Sequence, residues 1–111
     1  YSLEIGFVGS GGELSNYNIQ SFTIEDLLDK NNIEQVDLIK MDIEGSEFAL
    51  FDEPSWLKRV GAICMEVHPE YGSPTKILKE LKKYEFEFKV ADENLILLDN
   101  PDFANFIYAW R

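Results

Sequence analysis

An α/β domain, with a mostly parallel sheet that finishes in an antiparallel hairpin, is predicted by three features of this chain. Two apolar runs, residues 36–43 and 62–68, stand about one helix apart, as in strand–helix–strand units. Both runs end in titratable groups: Asp42 and Glu44 at the first, Glu66 and His68 at the second. The tail from Phe86 onward alternates strand signals with turns and has room for a hairpin but not for a crossover. In open parallel sheets chemistry collects outside the carboxyl ends of the strands, so these two run ends mark a candidate site.

The elements follow in order. Leu3, Ile5 and Phe7 alternate, and after Gly9-Ser10-Gly11-Gly12 come Ile19 and Phe22, which predicts two short strands around a flexible turn. Thr23 is a good N-cap with Asp26 three residues on, a capping-box variant. Phe22 and Leu27 are spaced for a hydrophobic staple, and the helix runs to about Lys30, where Asn31-Asn32 ends it. Residues 36–43 are apolar on both faces apart from Lys40 and Asp42, as in a strand covered on both sides. Gly45 then allows a strand-to-helix turn, and a short helix carries Phe48, Ala49, Leu50 and Phe51. Pro54 opens another turn with Trp56 and Leu57.

Residues 62–68 form the next buried strand, with Pro69 and Gly72 punctuating the loop after it. Ser73 caps the best helix of the chain and Pro74 takes its first position. Ile77, Leu78, Leu81 and Tyr84 share one face, while Lys76, Lys79, Lys82 and Lys83 make a solvated one. Strand signals at Phe86–Phe88–Val90, at residues 95–98 and at residues 106–110 complete the chain. Trp56, Trp110 and Cys64 read as core, and Tyr71 as the aromatic nearest a pocket.

At 111 residues the chain is expected to be one domain, and a hydrophobic share of 45% is ample for a core. Tyr1 is not an initiator methionine, which suggests a piece of a longer protein. No apolar run approaches the roughly twenty residues needed to span a bilayer, and no leader is visible. Ten Lys and Arg against 21 Asp and Glu give a net charge of −11, a field that repels phosphate backbones and anionic membranes. Neither nucleic acid nor a membrane is an expected partner. A lone Cys64 forms no internal disulfide and suits a reducing cytoplasm.

Residues two apart on a strand face the same way, so Lys40 pairs in direction with Asp42, and Glu66 with His68. Adjacent parallel strands with ends in register would set Asp42 beside His68 and Lys40 beside Glu66. A cross-strand Lys40–Glu66 pair would relieve two charges among apolar neighbours. The same residues read as a structural polar network, or, with Asp42, Glu44, Glu47, Glu66 and His68 as oxygen and nitrogen ligands, as a metal-dependent hydrolase site.

The pattern Lys40-x-Asp42-x-Glu44-Gly45-x-Glu47, with Glu66-x-His68 one helix further on, resembles the FkbM-type methyltransferases, C-terminal half only. Residues 19–28 resemble that family's lead-in, and the likeness spans about residues 18–110. It implies part of a Rossmann-like, class I methyltransferase-type sheet. It also implies transfer of a methyl group from S-adenosylmethionine to a hydroxyl on a sugar, secondary metabolite or other small-molecule acceptor. In that scheme Asp42, Glu66 and His68 are the catalytic candidates. His68 is the general base, oriented by Asp42, and Glu44, Glu47 and Lys40 bind the acceptor at the mouth. The family's glycine-rich donor turn has no counterpart, because Gly9-Ser10-Gly11-Gly12 precedes a polar stretch rather than a helix. Residues 1–111 then form one domain without the donor-binding half, inactive alone. A non-catalytic binding module that keeps the fold is the rival. In that fold residues 36–43 would also be an unpaired sheet edge, open to self-association.

Overall fold

The computed structural model describes residues 23–43 and 45–111 in full and residues 2–6 as backbone. Five strands make one sheet: β1 (Ser2–Gly6), β2 (Val36–Asp42), β3 (Val60–Glu66), β4 (Glu87–Ala91) and β5 (Phe106–Trp110), in the order β1-β2-β3-β5-β4. β1 and β3 flank β2 in parallel, whereas β5 runs antiparallel to β3 and to β4. The α/β class and the closing hairpin are as predicted. "Mostly parallel" is not: the sheet is evenly mixed. Between β4 and β5 the chain has only turns and the short 3₁₀ segment Pro101–Phe103, too little for a crossover, so β5 must return antiparallel.

The helices form where their ends are chemically marked. In α1 (Ile24–Lys30), Thr23 Oγ1 accepts the Asp26 amide proton at 3.0 Å and Asp26 Oδ2 accepts that of Thr23 at 3.4 Å, a complete capping box. α2 (Glu47–Leu50) is a single turn, followed by the 3₁₀ segment Pro54–Arg59. α3 (Pro74–Lys83) buries Ile77, Leu78 and Leu81 and exposes its lysines. Ser73 holds the N-cap position without a side-chain bond, and its carbonyl accepts from Lys76 N instead. The helix ends in a left-handed Glu85 (φ 68°), with Phe86 N–H returning to Leu81 O at 3.0 Å.

The core lies on one face of the sheet. Ile39 and Met41 of β2, and Ile63 and Met65 of β3, pack with Leu28, Trp56, Ile77 and Leu81 in a single cluster. Each such fully buried side chain contributes roughly 1.5–3 kcal/mol. Leu38 (39% exposed), Lys40 and half-buried Cys64 occupy the other face, so β2 is covered on one side among the described residues, not two. The order β1-β2-β3 explains it: consecutive right-handed crossovers in one direction deliver their helices to the same side. Trp110 is likewise no core residue; it is 38% exposed and donates to Glu87 Oε2 at 3.1 Å.

Two further expectations change. Residues 95–98 form no strand, because Asp92 Oδ1 accepts the amide protons of Asn94 and Ile96 and Leu95 turns left-handed (φ 64°). Only Leu97 bridges Ala91, and Leu95, Ile96 and Leu97 are exposed. Residues 36–43 are no open edge either, since β1 pairs along β2 from Ser2 opposite Leu38 to Gly6 opposite Asp42. The glycine cluster, the second short strand and the Phe22 staple fall outside the described residues.

An interior parallel strand bonds on both sides, whereas an edge strand leaves alternate amides to solvent. All amides from Asp37 to Met41 are therefore expected to exchange slowly in hydrogen-exchange mass spectrometry or NMR. Fast exchange at every second position would show that β1 leaves that side open.

Candidate functional site

The register between β2 and β3 sets Lys40 opposite Cys64 and Met41 opposite Met65. Continued one step, it brings the strand-end carboxylates of Asp42 and Glu66 level with each other. The expected register was therefore two residues out: Lys40 is not directly opposite Glu66, nor Asp42 directly opposite His68 in the register, although Asp42 and His68 still come close in space. Lys40 is exposed on the uncovered face, where its charge lowers the Cys64 thiol pKa less than burial raises it.

Beyond β3 the chain stays ordered for two residues. Val67 is buried and its N–H donates to Asn105 O at 2.7 Å, which fixes the start of the loop that carries His68. Beyond β2, buried Ile43 leads into Gly45, whose φ of 99° strains any side chain. A Cβ at Gly45 would lie 2.6 Å from Tyr71 Cδ2, so the two loops also meet by close packing. At Gly72 the backbone is extended, and the constraint is contact alone: a Cβ would stand 2.8 Å from the Phe48 ring.

α2 then begins with Glu47, the one charged side chain that is fully buried among the described residues. Its Oε2 accepts the Gly45 N–H at 2.8 Å. Its Oε1 accepts two bonds from His68, the backbone N–H at 2.7 Å and Nδ1–H at 2.9 Å. A carboxylate only accepts, so Nδ1 carries a proton, and in the neutral ring it is Nε2 that keeps the lone pair. Glu47, not Asp42, orients His68. With no exposed surface, Glu47 has nothing to offer an acceptor at the mouth, contrary to its expected role there.

His68 Nε2 lies 3.8 Å from Glu66 Oε1, with the histidine side chain 15% exposed and the glutamate 41%. Donor atoms of Asp42, Glu66 and His68 all fall within 4.8 Å of one another. Asp42 Oδ1 is closed off from solvent and has no hydrogen-bond partner among the described residues. Tyr71, exposed, meets the His68 ring edge-on at 6.4 Å between centroids, as expected of the aromatic nearest the site. The structure thus brings Asp42, Glu66 and His68 together, sets Lys40 on the adjoining face, and leaves Glu44 outside the described residues.

The orienting role of Glu47 was missed. The signal available was an acid at the first position of a helical turn whose next residues, Phe48 to Phe51, are mostly apolar. A hollow of about 480 Å³ lies elsewhere, lined by Thr23, Glu25, Asp26, Asp52, Glu53 and Trp56 among others, and contains none of the strand-end groups. Among the described residues no helix is long and apolar enough to cross a membrane.

Comparison with protein families matches residues 5–88 to the methyltransferase FkbM domain. The match begins well ahead of residue 18, in the first part of the chain, so the restriction to a C-terminal half is not borne out. Neither a comparison with curated proteins nor one with solved structures found a match.

Glu47→Gln keeps the shape but replaces one acceptor oxygen by a donor. In either amide orientation an N–H then faces Gly45 N–H or the two His68 donors. Stability is expected to fall by about 1–3 kcal/mol, the cost of a buried donor left unsatisfied. Urea unfolding measures it; an unchanged midpoint would mean that Glu47 does not hold the two loops.

Proposed function

The family match takes in more than half of the chain, so the chain belongs to the FkbM methyltransferase family; on that premise we propose that its strand ends activate a hydroxyl for O-methylation. The observation that carries the proposal is the bond from His68 Nδ1 to buried Glu47, which turns Nε2 toward the carboxylates of Glu66 and Asp42 at the ends of β3 and β2. A hydroxyl of a sugar or other small polyol, held within hydrogen-bond reach of Nε2, loses its proton there as its oxygen takes up the methyl group. The resulting imidazolium has Glu47 at Nδ1, and Glu66 and Asp42 around Nε2, three carboxylates that stabilise the positive charge. Tyr71 supplies an apolar wall beside the ring. The net charge of −11 disfavours anionic acceptors, nucleic acids and anionic membranes, and a lone cysteine suits the cytoplasm.

Membership of the family suggests S-adenosylmethionine as the source of the methyl group. The described residues do not fit that donor: β1, β2 and β3 follow one another in the sheet, their crossovers pack on one face, and no crevice opens at a switch in strand order. The described residues are therefore assigned the acceptor side of the reaction. That same feature favours a second reading, a non-catalytic module that keeps the acceptor site. Donor binding by the intact protein separates the two.

His68→Ala in the intact protein is expected to slow methyl transfer by about 100- to 10,000-fold, the usual worth of a positioned general base, with donor affinity unchanged. Steady-state rates with a sugar or polyol acceptor give the test. An unaltered rate would reduce His68 to a structural residue.

A further inference from the structure

We infer that Asp42, Glu66 and His68 together form a binding site for a divalent transition-metal ion, Zn²⁺ or Mn²⁺. The inference rests on the geometry of the cluster; only its consequence for the rate rests on the methyl-transfer reading.

Three observations converge. The separation of 3.8 Å between His68 Nε2 and Glu66 Oε1 is too long for a hydrogen bond. It is close to the spacing of two ligands on one ion, which at metal–ligand distances of about 2.1 Å stand roughly 3–3.6 Å apart. Asp42 Oδ1 is buried without a hydrogen-bond partner among the described residues, a costly state unless a donor or a cation satisfies it. A carboxylate oxygen of Asp42 lies within 4.8 Å of ligand atoms of both Glu66 and His68.

The third observation is the orientation of His68. Metal-binding histidines characteristically donate their second ring N–H to a carboxylate, which fixes the tautomer and strengthens the ligand. Glu47 does this at 2.9 Å, from a fully buried position, and so presents Nε2 as the coordinating atom. The cluster is thus more than adjacent acids: one Asp42 oxygen is closed off from solvent, Glu66 is level with Asp42 by the β2–β3 register, and a pre-oriented imidazole completes the set.

The donor set names the ion class. One imidazole with two carboxylates suits Zn²⁺ or Mn²⁺, whereas Ca²⁺ takes six to eight oxygens and Mg²⁺ keeps most of its water. Nε2 has a single lone pair. Coordination and proton abstraction therefore exclude each other, and a loaded site is blocked as a base.

Calorimetric titration and thermal melting of the chain with Zn²⁺ and Mn²⁺, against Mg²⁺ and Ca²⁺, give the test. Saturable binding of one Zn²⁺ or Mn²⁺ per chain, with a raised melting temperature, is expected. Asp42→Asn and Glu66→Gln should each weaken it at least tenfold, Glu47→Gln by about 10- to 100-fold through loss of the orienting bond, and Cys64→Ser not at all. Because some variants lose stability, circular dichroism establishes that each is folded at the titration temperature, and a chemical-shift change at His68 Nε2 on adding Zn²⁺ to the unmodified chain reports coordination directly. Absence of saturable binding up to millimolar ion, or binding that survives in folded Asp42→Asn and Glu66→Gln, would overturn the site. Zn²⁺ binding alongside a rate that His68→Ala leaves unaltered would uphold the cation site and remove the base.

Discussion

One buried carboxylate organises the end of this sheet. Glu47 is removed from water, an arrangement that costs several kcal/mol unless its lone pairs are filled. They are filled by three N–H groups from two loops: Gly45 on its own side, and the His68 backbone and ring from beyond β3. The consequence runs both ways. The loops cannot separate without stranding the charge, and the imidazole cannot rotate without losing Nδ1. Close packing reinforces the same junction, since Tyr71 rests where Gly45 lacks a side chain and Phe48 where Gly72 lacks one. Geometry at Nε2 is therefore a property of the fold rather than of a loose side chain.

The sheet sets what this junction can serve. β2 and β3 end side by side, and their parallel register levels Asp42 with Glu66 beneath the ring of His68. The crossovers before and after β2 both pack their helices on one face, so the opposite face, with Leu38, Lys40 and Cys64, stays half open among the described residues. Among the described residues β1, β2 and β3 follow one another in the sheet, and the cluster stands at the carboxyl ends of the last two, where the proposed acceptor would bind.

Much of this was legible because it is local. The Thr23–Asp26 capping box, the proline at the start of α3 and that helix's apolar stripe depend on residues within a turn or two of each other, and all three form as spaced. The site was legible as a set of strand ends, since apolar runs that stop in titratable groups are visible without a structure. What failed depends on distant parts of the chain. A register error of two residues moved Asp42 from Glu66 to His68, and nothing in either strand's own pattern fixes register between them. Glu47 reaches His68 across 21 positions, so its burial could not be read from its neighbours. The pairing of β1 with β2 is equally non-local, and it removed the expected open edge. Residues 95–98 show the opposite failure. Their aliphatic run suggested a strand, but Asp92 bonds the backbone into a turn and leaves them exposed.

The tautomer of the single histidine tests the central claim most directly. Nitrogen-15 chemical shifts of the His68 ring distinguish a protonated nitrogen from one that keeps its lone pair. The account predicts a proton held on Nδ1 and protected from exchange by its bond to Glu47. A ring in the Nε2–H form, or one averaging freely between the two, would show that Glu47 does not hold His68.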